Sequence, residues 1–349
     1  MGIFAIYPLL KTRRVSITVP SGLIVLYNGT SAPDGWTLFT SADGKYPVGA
    51  GSTYAVGATG GSTSITTNAS DSQGSHNGSA SFTNNAGTPF ETGKSAAGAH
   101  THTLSFNYEP PFYTLRLIKA DSELPQLPAN GVVLSASTLS GLTEFTTPEG
   151  KILKVAATIG SGGNNTIPAG TSSSIGEHHH GTTDCGSNIG SSTCASESSG
   201  MTHTHPTTSF VITPAIKRAL MSAWYDANNA YNLQGGMYAF YQSITPPDGW
   251  YLCNGSNGTV DLRDYFIEFT DTSDDGTRTG DNTISLASCT LSSVDWNHSH
   301  KSTTFDDSLA LPDQWHASQN ATHSHTIAAL SGKSYVPPYY ALAIIMKAA

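Results

Sequence analysis

The chain has 349 residues, of which only 12% are charged, with 35 glycines, 18 prolines and a formal net charge of −9. That balance excludes nucleic-acid binding through a basic surface, and 38% hydrophobic content excludes disorder driven by charge repulsion. The richness in Gly, Pro, Ser, Thr and Asn points to a mainly β fold with long loops rather than a helical enzyme, over a length that would serve two or three domains.

Residues 1–19 read as an N-terminal attachment segment. The opening MGIFAIYPLL is short, lacks a leading basic region and contains Pro8, so a cleaved signal peptide is not expected. The basic cluster Lys11, Arg13 and Arg14 lies within this segment and reads as solvated or attaching. No apolar run reaches transmembrane length, so membrane insertion is not expected.

Residues 20–120 form the first of three segments built to one plan. A strand-like run Gly22-Leu-Ile-Val-Leu-Tyr27 is followed by the turn Pro33-Asp34-Gly35 and then Trp36. Next come Asp43-Gly44-Lys45, a polar loop containing His76, the motif His100-Thr101-His102, and Tyr108-Glu-Pro110-Pro111 leading into Phe112-Tyr-Thr-Leu-Arg-Leu-Ile-Lys-Ala120. Pro presets φ and Gly accepts φ > 0, so Pro-Asp-Gly has the chemistry of a turn, and the Trp after it reads as a core anchor. Residues 121–130 are a Pro-containing linker of extended type.

Residues 131–225 are a degenerate second copy. Gly131-Val-Val-Leu134 opens it, Thr143-Glu-Phe-Thr146 stands in for Pro-Asp-Gly-Trp, and Glu149-Gly150-Lys151 parallels Asp43-Gly44-Lys45. Glu177-His178-His179-His180 begins its loop half and His203-Thr204-His205 ends it. The stretch that joins it to the third copy, from Ala215 to Asn229, is rich in Ala, Leu, Met and Lys, which favours a helix. Residues 226–349 repeat the first plan closely: Gly236-Met-Tyr-Ala-Phe-Tyr241, Pro247-Asp248-Gly249-Trp250, Val260-Asp-Leu-Arg-Asp264, His298 and His300, His323-Ser324-His325, and Tyr335-Val-Pro337-Pro338-Tyr339-Tyr340.

Side chains at i and i+2 of a strand share a face, so each His-x-His presents two imidazoles together. Three such motifs at one repeat position make His100, His102, His203, His205, His323 and His325 a candidate six-nitrogen metal shell. Upstream, His76, His180 and His300 precede the last histidine of their segments by 26, 25 and 25 residues. They form either a second ring or a hydrogen-bonded layer. Of the four cysteines, Cys185 and Cys194 flank a short Gly/Ser loop where a disulfide is sterically easy, Cys253 reads as a buried thiol, and no CxxC pair suggests a thiolate zinc site. No nucleophile elbow, HExxH helix or phosphate-binding glycine loop occurs, so an enzyme is not expected.

The ordered set of Pro-Asp-Gly-Trp, Val-Asp-Leu-Arg-Asp, His-x-His and Tyr-x-Pro-Pro-Tyr-Tyr resembles the tail-collar domain of bacteriophage short tail fibres. It does so well over residues 20–120 and 233–348, and weakly over 128–225. The resemblance implies a structural virion protein of tail-fibre or collar type on the phage exterior. Its partners would be other tail or baseplate proteins and a host cell-surface glycan, and its His-x-His strands would hold a metal on a threefold axis. Capsid decoration or a head fibre, and a non-viral secreted adhesin or lectin-like module, are the alternative readings.

An all-imidazole octahedron suits Fe²⁺, Zn²⁺, Ni²⁺ or Co²⁺. Zinc's preference for four ligands leans the choice towards iron. Three tandem copies depart from the family's one per chain and open two assemblies. One is an intrachain pseudo-trimer around a single metal, and the other is a homotrimer with three stacked units. The worn second copy, which could survive by leaning on its neighbours, favours the first.

Overall fold

The computed structural model describes residues 18–67, 69–70, 101–174, 204–271, 276–291 and 324–349 in full. It describes 77–83, 89–97, 180–182, 196–197, 292–302 and 316–323 as strand backbone alone. The described residues are almost entirely β, and the single helical piece among them is the 3-10 turn Thr40–Ala42. The proposed attachment segment up to residue 17 lies outside the described residues, as do Cys185 and Cys194.

Opening strands Ile24–Tyr27, Gly131–Ser135 and Met237–Tyr241 are apolar almost throughout, and burial on both faces is the reason. Ile24 and Leu26, Val132 and Leu134, and Tyr238 and Phe240 point into one core. The alternate residues Leu23 and Val25, Val133, and Met237 and Ala239 point into another. Period-two alternation is therefore present but hidden, because both faces of the strand are covered.

Fifteen strands join in one sheet that closes on itself. Each opening strand pairs antiparallel with the closing strand of its own segment, Phe112–Ala120, Arg218–Tyr225 or Tyr339–Lys347. The opening strands also pair with one another in a ring: Leu26 faces Val132, Leu134 faces Tyr238, and Phe240 faces Ile24. Each closing strand then runs parallel to an inner strand of the next segment. Phe112 faces Ile152, Arg218 faces Phe266, and Tyr339 returns to face Tyr46. The order is first to second, second to third, and third to first. A threefold therefore closes within one polypeptide, in equivalent register at every step.

Backbone conformation keeps the same period. Gly22, Asn130 and Gly236 take φ of 80°, 60° and 84° just before the opening strands, and Gly44, Gly150 and Asp264 take 76°, 71° and 65° before the inner ones. Aspartate tolerates that left-handed position because its short carboxylate is anchored. Asp264 accepts hydrogen bonds from the amides of Thr53 (3.0 Å) and Tyr54 (3.3 Å) and from the Ser52 hydroxyl (3.1 Å), all in the first segment.

Two expectations change here. Residues 218–225 are a strand, not a helix: Val133 and Leu134 pair with Trp224 and Ala223 on one side, and Phe266 and Ile267 pair with Arg218 and Ala219 on the other. Helix propensity spans only a few tenths of a kcal/mol per residue, less than the burial gained by Met221 and Ala223 in the shared core. The stretch standing in for Pro-Asp-Gly-Trp also begins earlier than Thr143. Gly141 has φ 73°, matching Gly35 and Gly249 at 79°, so Leu142 occupies the place of Trp36 and Trp250. The third indole comes instead from Trp224 on the closing strand, which joins both other tryptophans in one cluster with Leu142 packed against it.

Polar exceptions on the inner strands are paired across segment boundaries. Lys154 meets Glu109 at 2.5 Å, and Glu268 meets Arg218 at 2.5 Å, where the apolar Val48 holds the third equivalent place. Burial pushes the Glu268 carboxyl up, and Arg218 pulls it back towards ionisation.

Candidate metal centre

Beyond the barrel, a third core rises through Tyr46, Ile152 and Phe266 to Leu104, Leu291 and Ile327. Short ladders carry the chain there in each segment: Ser64–Thr66 with Ser105–Asn107, Thr166–Ile167 with Phe210–Ala215, and Thr283–Leu286 with Leu330–Ser334. Thr101–Leu104, Thr204–Thr207 and Ser324–Ile327 then alternate between outward and buried positions, with the second and fourth residues inside each time. This two-residue period places His102, His205 and His325 on the inner face directly beyond Leu104, Thr207 and Ile327.

All three imidazoles are fully buried. Their ring centroids are 4.7, 4.8 and 4.9 Å apart, and each pair meets edge to face. One ring nitrogen from each lies within 4.8 Å of the other two. Metal–nitrogen bonds of about 2.0–2.1 Å set ligand nitrogens roughly 3 Å apart, so the triad stands close to a ligating arrangement. Three buried histidines contributed by three segments lie close enough to hold one metal ion.

The surroundings fix how the imidazole of His102 presents itself. Its Nδ1 is 2.8 Å from the Ser173 carbonyl oxygen, which only accepts, so Nδ1 carries the proton and Nε2 keeps the lone pair. A histidine ligand commonly holds its tautomer this way, with the second nitrogen donating to a carbonyl. Ser172 Oγ lies 3.3 Å from the same Nδ1, and Ser70 Oγ lies 3.3 Å from Nδ1 of His325. No family model, curated protein or solved structure matches this chain. Geometry within the chain therefore carries the functional argument.

Of the six predicted ligands, His102, His205 and His325 are brought together. His323 lies in the strand His316–Ile327, described there by its backbone, while His100 and His203 lie outside the described residues. In the upstream set, His180 starts a short strand facing Ala97 and His300 faces Ala317 in an antiparallel pair of strands, while His76 lies outside. Cys253 is a free, buried thiol, as is Cys289. Ser70, Ser172 and Ser173 are the residues that sequence reasoning missed. Their signal was a spacing of 32 and 33 residues before the histidines whose amides Ser70 and Ser172 accept, hidden in a serine-rich background.

Burial holds the His102 imidazole below its ordinary range; the hydrogen bond to Ser173 opposes this and the neighbouring His325 adds to it. The folded metal-free chain therefore binds fewer protons here than the unfolded one. Its full contribution is present above the unfolded value of about 6.5 and is lost as pH falls through the folded value. Thermal unfolding of chelator-treated protein should be flat above about pH 7 and fall progressively below about 6.5. Replacing His102 by Gln should flatten part of that slope, and a profile identical in the two proteins would contradict the assignment.

Proposed function

We propose that this chain is a structural protein of a bacteriophage exterior, of tail-fibre or collar type. In this reading the histidine triad holds a structural metal that ties three polar loop segments together, and those loops contribute to attachment at the host surface. The observation that carries the reading is the convergence of His102, His205 and His325, one from each segment, at the end of a ring closed within one chain. Iron or zinc is the favoured ion, and the first histidine of each motif would supply the remaining ligands of a full shell. A saturated shell leaves no open position for a reacting water, which fits a structural role rather than catalysis.

The Ser-, Thr- and Asn-rich loop segments suit polar contacts with a cell-surface glycan. Native mass spectrometry with elemental analysis tests the core of the proposal, with one metal ion per single chain as the expected result. Three metals per chain, or none, would overturn it. Immunogold labelling of virions tests the placement: label on the tail supports the proposal, and label on the head replaces it with capsid decoration.

A further inference from the structure

The clasp around the triad is uneven, and the unevenness is specific. Ser70 Oγ accepts the amide proton of its own segment's His102 at 2.7 Å while reaching Nδ1 of His325, in the third segment, at 3.3 Å. Ser172 Oγ accepts the amide of its own segment's His205 at 2.9 Å while reaching Nδ1 of His102, in the first segment, at 3.3 Å. Backbone bonds complete each clasp, from Ser70 N to the His102 carbonyl (2.6 Å) and from Ser172 N to that of His205 (2.9 Å). Both serines are buried. Leu291 occupies the corresponding place in the third segment, facing His325 in the ladder and bridging to Thr207.

We propose that Ser70 and Ser172 are positioning residues for the metal cage, each holding the Nδ1 edge of an imidazole that belongs to the neighbouring segment. This rests on the metal reading above and extends it to residues outside the ligand set. A hydroxyl that already accepts an amide proton has a fixed lone-pair direction. The Ser172 hydroxyl proton is itself directed to the Ser173 carbonyl at 3.1 Å, which leaves Oγ as an acceptor towards His102. The Nδ1–H of His102 goes to the Ser173 carbonyl at 2.8 Å, which leaves Nε2 for the metal. Ser172 Oγ, as a second acceptor at 3.3 Å beside it and tied to that same carbonyl, holds the carbonyl and the ring edge in place. The cage is clamped by hydroxyls at two of its three corners, while Leu291 gives the third segment an apolar group at that place. The two clamps span the boundary between first and second segments and the boundary between third and first. The latter is the one boundary that no direct chain connection crosses.

The test uses the full chain and Co²⁺ as a spectroscopic probe. Affinity is measured by chelator competition, ligand-field absorption reports the cage, and thermal unfolding is followed without metal. Ser172→Ala and Ser70→Ala should each weaken Co²⁺ binding about 10- to 100-fold and shift the absorption. Ser172→Thr, which keeps the hydroxyl, should recover most of the loss. Ser135→Ala removes an equally buried hydroxyl far from the triad and should leave affinity unchanged. Should Ser172→Ala fail to fold, Ser70→Ala decides alone. Co²⁺ uptake by the unsubstituted chain that is unaltered within twofold by the serine changes overturns this inference and leaves the metal reading intact. A chain that takes up no Co²⁺, Zn²⁺ or Fe²⁺ overturns both.

Discussion

Stripping metal from the purified protein should lower its melting temperature markedly, and His325→Ala should abolish that metal dependence. A ligand that binds only the folded state stabilises it by RT ln(1 + [L]/Kd), about 4 kcal/mol when free metal is a thousand times Kd. For a chain of this size that corresponds to a shift of roughly 5 °C. His325 is fully buried and within ligating reach of His102 and His205, so its loss removes one corner of the cage and opens space between the remaining rings. The melting curves of His325→Ala with and without chelator should then coincide. Hydrogen exchange should localise the change to the amides around Ser324–Ile327, Thr101–Leu104 and Thr204–Thr207, while the ring of opening strands stays protected, because its core does not include the triad. A chelator that leaves the melting temperature unmoved would remove the structural role.

Much of this architecture could be read from residues alone, and the parts that could not share a cause. The mainly β fold and the buried half of each His-x-His motif follow from local pattern: turn chemistry at Pro-Asp-Gly, strand-length apolar runs, and the two-residue period that puts His102 and Leu104 on one face. What escaped were choices made by neighbours distant in sequence. Residues 218–225 carry helix-forming side chains, yet they lie between an opening strand of their own segment and an inner strand of the next. The loss of tryptophan at position 142 is offset by Trp224 from the far end of the same segment, a compensation invisible to motif alignment. The serine clasps depend on which segment follows which around the ring, and a repeat alignment does not contain that information. Charge placement does: Lys154 with Glu109 and Glu268 with Arg218 pair only if the segments close in the observed order.

The ring also makes a strong claim about autonomy: residues 1–127, a fragment that contains the whole first segment, should not fold alone as a monomer. Its closing strand Phe112–Ala120 would lose the parallel partner Ile152–Val155 and the antiparallel partner Gly160–Gly162. Its inner strand Tyr46–Gly49 would lose Tyr339–Lys347, and its opening strand would lose both ring neighbours. Leu26, Leu115, Leu117 and Val48, all essentially inaccessible in the intact chain, would face water.

Each large aliphatic side chain contributes about 1.5–3 kcal/mol when fully buried, whereas ordering the backbone costs about 1–2 kcal/mol per residue, so a segment stripped of its neighbours falls well short. Mixing the fragment with residues 128–349 should restore the missing edges and yield a one-to-one complex with near-native circular dichroism. Because the pairing register is equivalent at every step of the ring, Leu26 of one copy could face Ile24 of another just as it faces Val132 now. Any folded fraction of the fragment alone should therefore sediment as a trimer and vanish with the third power of concentration on dilution. A folded, monodisperse monomer of the first segment would mean that the segments are independent domains and that the ring is only their packing.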